Sequence, residues 1–268
     1  MTSTADRTKL FHDLHRPGPL VLPNAWDVAS ALVVAHAGAK AVATTSAGVA
    51  WSLGAPDGDS LERERAVDLV ARIVEAVDVP VSADIESGFG ETAEDVAETV
   101  GAIAEAGASG VNVEDGLGAG LRDVEEQVER YAAARSAAPD IYLNARIDTY
   151  LRAVGESADR LENTLERAKK YLEAGASGIF VPGVVDVETA RKLVEGIGAP
   201  VNVLVWPGAP AVDEFAKAGV ARVSLGSGVA EAAYAVARRA AEEMLSLGTY
   251  SSVENGIPYG DLNALFRR

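Results

Sequence analysis

The stretch Ala106-Gly107-Ala108-Ser109-Gly110-Val111 joins the end of an amphipathic segment to the start of an apolar one, and related stretches recur along the chain. The other copies are Ala37–Val42, Ala174–Ile179 and Ala218–Val223. The glycine in each copy fits the left-handed position after a helix C-terminus, where a side chain with a Cβ atom is penalised. The β-branched run that follows favours a strand. Each copy therefore predicts a helix ending and a strand beginning.

Helix and strand alternate throughout the chain. Apolar, β-branched runs fall near residues 20–26, 41–47, 79–86, 110–115, 141–147, 178–182, 200–205 and 221–226, with amphipathic segments between them. Eight strands, each followed by a helix, suit the length of about 250 residues that is usual for a (β/α)8 barrel. We therefore predict an α/β fold in which residues 1–268 form a single (β/α)8 TIM-type barrel domain.

The C-terminal part of the chain exceeds what a minimal barrel needs. The longest predicted helix is Val229–Leu247, and residues 249–268 form a C-terminal extension after it. A turn at Asn255–Pro258 and a short predicted helix at Asp261–Phe266 lie in this extension. We expect this extra helical segment to dock on a neighbouring subunit.

Composition excludes several classes of protein. With 48% apolar residues, a chain of this length can bury about 75% of its unfolded surface without a disulfide or structural metal. The sequence has no cysteine, which excludes disulfides, zinc-thiolate sites, iron-sulfur clusters and thiol catalysis. The net charge of -16 would repel nucleic acid and anionic membranes. No apolar run approaches the ~20 residues that span a bilayer, and the N-terminus lacks a hydrophobic signal core, so we expect a cytoplasmic location.

Acidic and basic residues follow several of the predicted strands. Chemistry in a barrel of this type takes place at the carboxyl ends of the strands. Asp84, Glu86 and Glu114, with Asp57 after an earlier strand, are hard oxygen ligands that suit Mg²⁺ or Mn²⁺. The alternative is that Asp84 and Glu86 cap the next helix or hydrogen-bond each other. Arg146 is either a counterion to these acids or a ligand for a substrate carboxylate or phosphonate.

Other residues after strand ends leave two interpretations open. Ser46-Ala47-Gly48 forms either a simple turn or a cradle of backbone amides for an anionic group. Tyr150, Arg152 and Trp206 are candidates for setting substrate specificity, or they pack the core and anchor loops. The three histidines, His12, His15 and His36, lie near the N-terminus or on the first barrel helix, so we expect no histidine base at the strand ends.

Several of these segments together resemble the isocitrate lyase and phosphoenolpyruvate mutase superfamily. The matching segments are Pro23–Asp27, Thr45–Ala50, Leu53–Asp57, Asp84–Gly90, Val113–Asp115 and Ala145–Asp148. The resemblance implies an α/β barrel, a homotetramer whose last helix swaps between subunits, and a site for Mg²⁺ and a small 2-oxo acid. The chemical step that the family shares is stabilisation of an enolate.

The resemblance also implies roles for the acidic residues. Asp84 would be the direct metal ligand, while Asp57, Glu86 and Glu114 would hold the waters of the metal. Glu114 is also assigned to catalysis, together with Arg146, which would pair with an anionic oxygen of the substrate.

The remaining implied contacts concern the substrate. Ser46, Ala47 and Gly48 would offer amides and a hydroxyl to its carboxylate. Trp26, in the first matching segment, and Asn202, on the seventh strand, are further candidate contacts, although Asn202 is equally interpreted as structural. We assign Tyr150 as a catalytic candidate because it is the most plausible side-chain proton source near a strand end.

The sequence departs from the family pattern after the fourth strand. The lyases carry a lysine-lysine-cysteine-glycine-histidine loop there, whereas Gly116–Asp123 is short and glycine-rich, and it also lacks the lysine and asparagine of the mutases. Cleavage of isocitrate or methylisocitrate is therefore improbable, and the chain resembles a phosphonomutase-like branch without the cysteine loop. Glu86 replaces the usual aspartate. We predict that Gly116–Asp123 acts as a gate that carries no general acid.

The sequence thus predicts a Mg²⁺-dependent lyase that cleaves a carbon-carbon bond or decarboxylates a small 2-oxo or 2-hydroxy carboxylate through a metal-stabilised enolate. Phosphoenolpyruvate mutase or phosphonopyruvate hydrolase activity is the alternative within enzymes. A barrel that binds a metabolite without turnover is the alternative outside them. The expected partners are a small anionic carboxylate and other copies of the chain, with no nucleic acid and no membrane.

Overall fold

A computed structural model describes residues 3–267 and contains the alternating barrel that the sequence predicts. The strands are β1 (Leu20–Leu22), β2 (Asn24–Ala25), β3 (Val42–Thr44), β4 (Val81–Asp84), β5 (Gly110–Glu114), β6 (Gly116–Leu117), β7 (Gly120–Leu121), β8 (Tyr142–Arg146), β9 (Gly178–Phe180), β10 (Val201–Leu204) and β11 (Arg222–Ser224). The helices are α1 (Thr4–Asp13), α2 (Val28–His36), α3 (Ser46–Ser52), α4 (Arg63–Ala76), α5 (Ala93–Glu105), α6 (Val124–Ala137), α7 (Arg160–Glu173), α8 (Val187–Ile197), α9 (Val212–Lys217), α10 (Gly228–Leu247) and α11 (Tyr259–Ala264). All eight predicted strands are confirmed, and the first is divided into β1 and β2.

The parallel sheet runs in the order β1-β11-β10-β9-β8-β5-β4-β3-β2. Its two ends are the two halves of the first strand, which Pro23 separates, because proline has no N–H to donate to a ladder. Asn24 spans the junction: its Nδ2 donates to the Thr44 carbonyl at 2.9 Å, and its Oδ1 accepts from Leu225 N at 3.0 Å and Gly226 N at 2.9 Å. The asparagine therefore joins the first part of the barrel to the last.

The outer helices form where local sequence signals agree with the barrel. Thr92 caps α5, with its hydroxyl accepting from Asp95 N and the Asp95 carboxylate accepting from Thr92 N. The helix ends just before Gly107, whose φ of +90° fits the left-handed residue that the repeated stretch requires. The apolar face between these ends packs against β5 in the main core cluster. The cap, the apolar face and the terminal glycine together fix where such a helix begins and ends. They thereby also fix the loop that leads into it from the carboxyl end of the preceding strand.

The amino ends of the strands are closed by α1. Phe11 is fully buried, and its ring lies 5.5 Å from that of Tyr142, on which His15 stacks at 4.0 Å. The guanidinium of Arg222 lies 6.0 Å from the Phe11 ring centroid. Burial lowers the pKa of Arg222 to about 10 and that of His15 to about 3, so the arginine stays charged and the histidine neutral near pH 7.

A layer of amides crosses the middle of the barrel. Asn144 Nδ2 donates to Asn112 Oδ1 at 2.9 Å and to Asn202 Oδ1 at 3.2 Å. Asn202 Nδ2 in turn donates to the carbonyls of Val203 and Arg222. These hydrogen bonds satisfy polar groups that are buried away from water, as a stable interior requires.

Two local structures differ from the prediction. The strand expected at 41–47 ends at Thr44, and Ser46-Ala47-Gly48 is not a turn but the start of the short helix α3. The segment Gly116–Asp123 begins as the antiparallel hairpin β6–β7 before it reaches α6. Both segments were harder to predict because neither carries an amphipathic repeat.

The long helix α10 makes few contacts with its own barrel. Ala230 is its one buried residue, whereas Met244, Leu245 and Leu247 are 68%, 87% and 73% exposed. Beyond it lie a 3-10 turn at Ser251–Val253 and α11, which confirms the helix expected in the C-terminal extension with slightly earlier bounds.

None of the helices within residues 3–267 combines the length and the apolar character that crossing a membrane would require.

Candidate active site

The candidate site lies where β4, β5 and β8 end. Asp84, Glu114 and Arg146 are the last residues of these three strands, and Glu114 and Arg146 are paired in register. Since the strands are parallel and adjacent, their carboxyl ends meet at one rim of the barrel. The structure thus brings together the acids and the arginine that the sequence singled out.

Asp84 is held at this rim by its neighbours. Its backbone N donates to Thr44 Oγ1 at 2.8 Å, and its Oδ2 accepts from Ser46 N at 3.3 Å. Its Oδ1 is buried and has no hydrogen-bond partner among residues 3–267. Burial raises the pKa of Asp84, Arg146 opposes this effect, and Asp57 adds to it. A buried carboxylate oxygen without a donor is suited to a cation.

Glu86 lies beneath the loop that carries Asp57. Its side chain is 3% exposed, and its Oε2 accepts from Gly58 N at 2.8 Å and also from Asp59 N. Burial raises the pKa of Glu86 to about 7, and the nearby acids Asp59, Asp57 and Asp84 contribute. Glu86 and Asp59 both have a φ of 54°, a conformation that is uncommon for residues other than glycine. The two loops are therefore fastened to each other by the backbone amides of one and the carboxylate of the other.

The opposite side of the rim is an ion-pair network around Arg146. Its Nη1 lies 2.6 Å from Glu114 Oε2, and its Nε donates to Asp148 Oδ1 at 2.7 Å. Burial alone would lower the pKa of Arg146, but Glu114, Asp148 and Asp84 outweigh it and raise that pKa. Burial raises the pKa of Glu114, and the positive charge of Arg146 opposes this effect. In this structure Arg146 pairs with Glu114 and Asp148, and its role toward a substrate anion remains a prediction.

Arg130, which sequence reasoning missed, holds the loop after β4. This buried arginine donates to the carbonyls of Ser87 at 2.7 Å, Gly90 at 3.0 Å, Glu91 at 2.5 Å and Thr92 at 3.1 Å. Because a guanidinium presents several donors in a fixed plane, one side chain sets the shape of this loop. No local signal reveals the role, since Arg130 reads as one more charge on an amphipathic helix.

Several predicted residues lie apart from the carboxylates. Asn202 is committed to the amide layer inside the barrel. Trp26 is half-buried beside the Tyr234 ring of α10, with ring centroids 6.5 Å apart. Tyr150 packs against the main core cluster, and no hydrogen bond within residues 3–267 joins it to Asp84, Glu114 or Arg146. Trp206 is 42% exposed after β10. The substrate and catalytic roles of these residues remain predictions.

The first turn of α3 packs tightly next to the site. A Cβ atom at Gly48 would lie 2.7 Å from Trp26 Cβ, so the close approach of α3 to the first strand requires glycine. The N-terminal amides of a helix lack partners within the helix. Ser46 N already donates to Asp84, which leaves the amides of Ala47 and Gly48 as the candidates for the predicted cradle.

The donor set fits a hydrated magnesium ion better than a metal enclosed by protein. Across the part of the chain that the structure describes, no three His, Asp or Glu side chains are grouped closely enough to hold a metal between them. Mg²⁺ keeps several waters and binds through one or two carboxylates. Asp84 Oδ1 would be the direct donor to such an ion, and the neighbouring carboxylates would accept hydrogen bonds from its coordinated waters.

Comparisons with known proteins show the family and the fold of the chain. Residues 11–245 match the family model described as phosphoenolpyruvate phosphomutase. An uncharacterized protein of Mycobacterium tuberculosis is 37% identical over 255 residues, 95% of each chain. The 2-methylisocitrate lyase of Escherichia coli is 30% identical over 224 residues, 78% of this chain and 74% of the lyase. A crystal structure of a candidate lyase/mutase from Burkholderia cenocepacia superposes with a TM-score of 0.91 at 39% identity, covering 99% of this chain and 97% of the other.

Proposed function

The chain belongs to the phosphoenolpyruvate mutase family within the superfamily that includes the isocitrate lyases, and from this membership we propose that it is a Mg²⁺-dependent lyase of a small 2-oxo or 2-hydroxy carboxylate. The proposed reaction breaks a carbon-carbon bond by retro-aldol cleavage or decarboxylation and passes through an enolate. Mn²⁺ is a plausible substitute for Mg²⁺, since both prefer oxygen ligands.

The observation that carries the proposal is the unpartnered Oδ1 of Asp84 at the barrel rim. Three further carboxylates lie near Asp84. Asp57 raises the pKa of Asp84, and Asp84 in turn raises the pKa of both Glu86 and Glu114. Arg146 offsets the charge of Glu114, and the remaining like charges repel each other unless a further cation is present. Asp84 would hold the cation directly, and the other three would orient its waters.

The proposed chemistry divides between the cation and the chain. When bound, Mg²⁺ would supply a Lewis acid that offsets the negative charge developing on the substrate. The amides of Ala47 and Gly48 would orient the substrate carboxylate, with the Ser46 hydroxyl beside them. Arg146 would exchange part of its pairing with Glu114 for an anionic oxygen of the substrate.

The hairpin β6–β7 limits which reactions are plausible. Its residues Gly116–Leu121 contain only glycine, leucine and alanine, so no side chain there donates a proton. Protonation of the product would therefore come from solvent or from Tyr150. We therefore propose a reaction in which no cysteine acts as the general acid. It differs in this respect from the cleavage of isocitrate or methylisocitrate that the cysteine-containing loop of the lyases indicates.

A substrate panel tests the proposal. Purified protein is incubated with oxaloacetate, 2-methylisocitrate, phosphonopyruvate and substituted malates, with Mg²⁺ or with a chelator, and 2-oxo acid, phosphate and phosphoenolpyruvate are measured. We expect Mg²⁺-dependent cleavage of one of the carboxylates, abolished in Asp84→Ala. Phosphate release or isomerisation of phosphonopyruvate would favour the phosphorus-carbon alternative, to which the family model points. Binding without turnover of any compound would favour a non-catalytic barrel.

We further propose a homotetramer in which α10 crosses to a neighbouring subunit. The helix leaves its own barrel, and Val21 on the outer face of β1 is 45% exposed, although strands in such barrels are normally covered by helices. A groove of 550 Å³ runs beside it and is lined largely by apolar residues such as Leu14, Leu20 and Val33. A helix from another subunit would cover this surface. Light scattering at micromolar concentration tests the assembly, and a monomer would contradict it.

A further inference from the structure

We propose that Arg152 is a positioning residue that latches the hairpin β6–β7 onto the carboxylate site, so that the position of the hairpin depends on the state of Glu114. This inference rests on the proposed function, because it assigns the hairpin as a cover for that site. It concerns a residue that sequence reasoning left open between setting specificity and anchoring a loop.

The guanidinium of Arg152 contacts three different parts of the site. Its Nε donates to Asp148 Oδ2 at 2.9 Å, and its Nη2 donates to Glu114 Oε1 at 3.2 Å. Its Nη1 donates to the carbonyl of Gly118, at the turn of the hairpin. The side chain is 26% exposed, so water screens these contacts only in part. One arginine therefore connects the turn of the hairpin directly to a candidate ligand for metal-bound water.

Gly116 shows how closely the hairpin lies on this arginine. A Cβ atom at Gly116 would clash with Arg152 Nη2 and would stand 2.6 Å from its Cζ and Nε. A side chain at this position would therefore displace the guanidinium. The hairpin contacts Arg152 twice, through the backbone of Gly116 at its start and through the carbonyl of Gly118 at its turn.

The base of the hairpin is anchored differently from its tip. Arg122 N donates to the Asp115 carbonyl at 2.8 Å, and the buried Asp115 carboxylate accepts from Tyr171 Oη at 2.9 Å and pairs with Arg167 Nη1 at 3.1 Å. In residues 3–267, Arg152 provides the one side-chain hydrogen bond to the segment 116–121. The tip is therefore free to move when this bond breaks, while the base stays in place.

Glu114 links the latch to the substrate position. Its Oε2 pairs with Arg146 and its Oε1 with Arg152, so the two arginines share one carboxylate. A substrate anion could draw Arg146 away from Glu114. The Glu114 carboxylate would then contact only Arg152 and the waters of the cation. Arg152 would then be the one guanidinium still paired with Glu114, and this pairing would fix the side chain that holds Gly118. Occupancy of the site would then order the hairpin over it.

Two variants disturb the latch from opposite sides. Arg152→Met removes all three hydrogen bonds, and Gly116→Ala keeps the arginine but places a methyl group against it. Arg160→Met is the matched control, because Arg160 donates to the carbonyls of Ala153 and Gly155 in the same turn and has no hydrogen bond to the hairpin or to Glu114. Arg152→Lys tests whether the latch needs the planar guanidinium or only a positive charge, since the ammonium of lysine cannot donate in the same planar arrangement.

Hydrogen exchange of residues 116–121 provides the first measurement, and it requires no turnover. We expect exchange to be at least about tenfold faster in Arg152→Met and Gly116→Ala than in the parent. Arg152→Lys should restore little of the protection, and Arg160→Met should match the parent. Parent-like exchange in Arg152→Met, or equal acceleration in Arg160→Met, would overturn the latch.

The second measurement separates positioning from general structural damage. On the substrate found by the panel, kcat should fall by about tenfold or more in Arg152→Met and Gly116→Ala, with Mg²⁺ affinity by calorimetry within about twofold of the parent. An unchanged kcat alongside faster exchange would show that the hairpin moves without consequence, which also overturns the inference. If the parent turns over no compound in the panel, the proposed function fails, and the exchange measurement alone decides whether Arg152 holds the hairpin.

Discussion

Glu86→Gln gives a sharp test of the electrostatics of the site. The side chain is buried, and its pKa is raised from 4.5 to about 7. Between these pH values the folded protein holds a proton that the unfolded chain has released. Stability of the metal-free parent should therefore fall as pH rises through this window. Glutamine keeps an oxygen that can accept from the amides of Gly58 and Asp59, but it does not ionise.

The magnitude follows from the size of the shift. A displacement from 4.5 to about 7 corresponds to about 3 kcal/mol, since each pKa unit represents about 1.4 kcal/mol. At about pH 5 the variant and the parent should have similar free energies of unfolding, because Glu86 is then largely neutral. At about pH 8 the metal-free variant should be more stable than the parent by up to about 3 kcal/mol.

Denaturant titrations across this pH range, in chelator and at one protein concentration, measure the difference. Glu129→Gln, at an exposed glutamate on α6, is the matched control and should show no comparable pH-dependent gain. Added Mg²⁺ should stabilise the parent more at the higher pH, when the carboxylates are ionised, and should narrow the gap between parent and variant. A gap that stays constant from about pH 5 to about pH 8 would refute the reasoning.

Three further predictions concern packing and assembly. Asn24→Leu should lower the free energy of unfolding by about 1–3 kcal/mol, because the amides of Leu225 and Gly226 lose their acceptor; an unchanged denaturation midpoint would contradict this. Arg130→Met should speed hydrogen exchange in residues 87–92 and destabilise the fold by about 3 kcal/mol or more, since the buried Ser87 carbonyl and three partly buried ones lose their donor. Parent-like exchange in residues 87–92 would remove its role in holding this loop. The melting temperature should rise with protein concentration if α10 is buried between copies, whereas a melting temperature independent of concentration would argue for an isolated chain.

Local chemistry explains why the sequence predicted the barrel and the position of the acids. The repeated alanine-glycine stretch combines a helix C-terminus with a β-branched strand, and both signals lie within six residues. Parallel strands then place Asp84, Glu114 and Arg146 at one rim without any further information. The helix α3 was missed because its cap, Thr45, makes no side-chain hydrogen bond and its seven residues are too short for an amphipathic repeat.

Contacts between distant residues could not be read in the same way. Arg130 meets Ser87 across 43 positions of sequence, and Arg152 meets Gly118 across 34. Nothing near Arg130 distinguishes it from a solvent-exposed charge, and the position of Arg152 after a strand end indicates loop anchoring without naming the loop. The sequence also did not show that Arg146 pairs with both Glu114 and Asp148, because Glu114 lies 32 positions away in the chain.

The junction at Pro23 has a consequence for how copies of this chain can associate. Within residues 3–267 the nine-strand ladder begins and ends on the two halves of one strand, so the barrel exposes no long row of unpaired amides and carbonyls. Such rows are what permit edge-to-edge aggregation or the addition of a peptide strand. Other chains would therefore associate with this barrel through its helices and loops and not by adding a strand to its sheet. A mutation that removed the Asn24 hydrogen bonds would expose unpaired strand edges that promote aggregation, in addition to destabilising the fold.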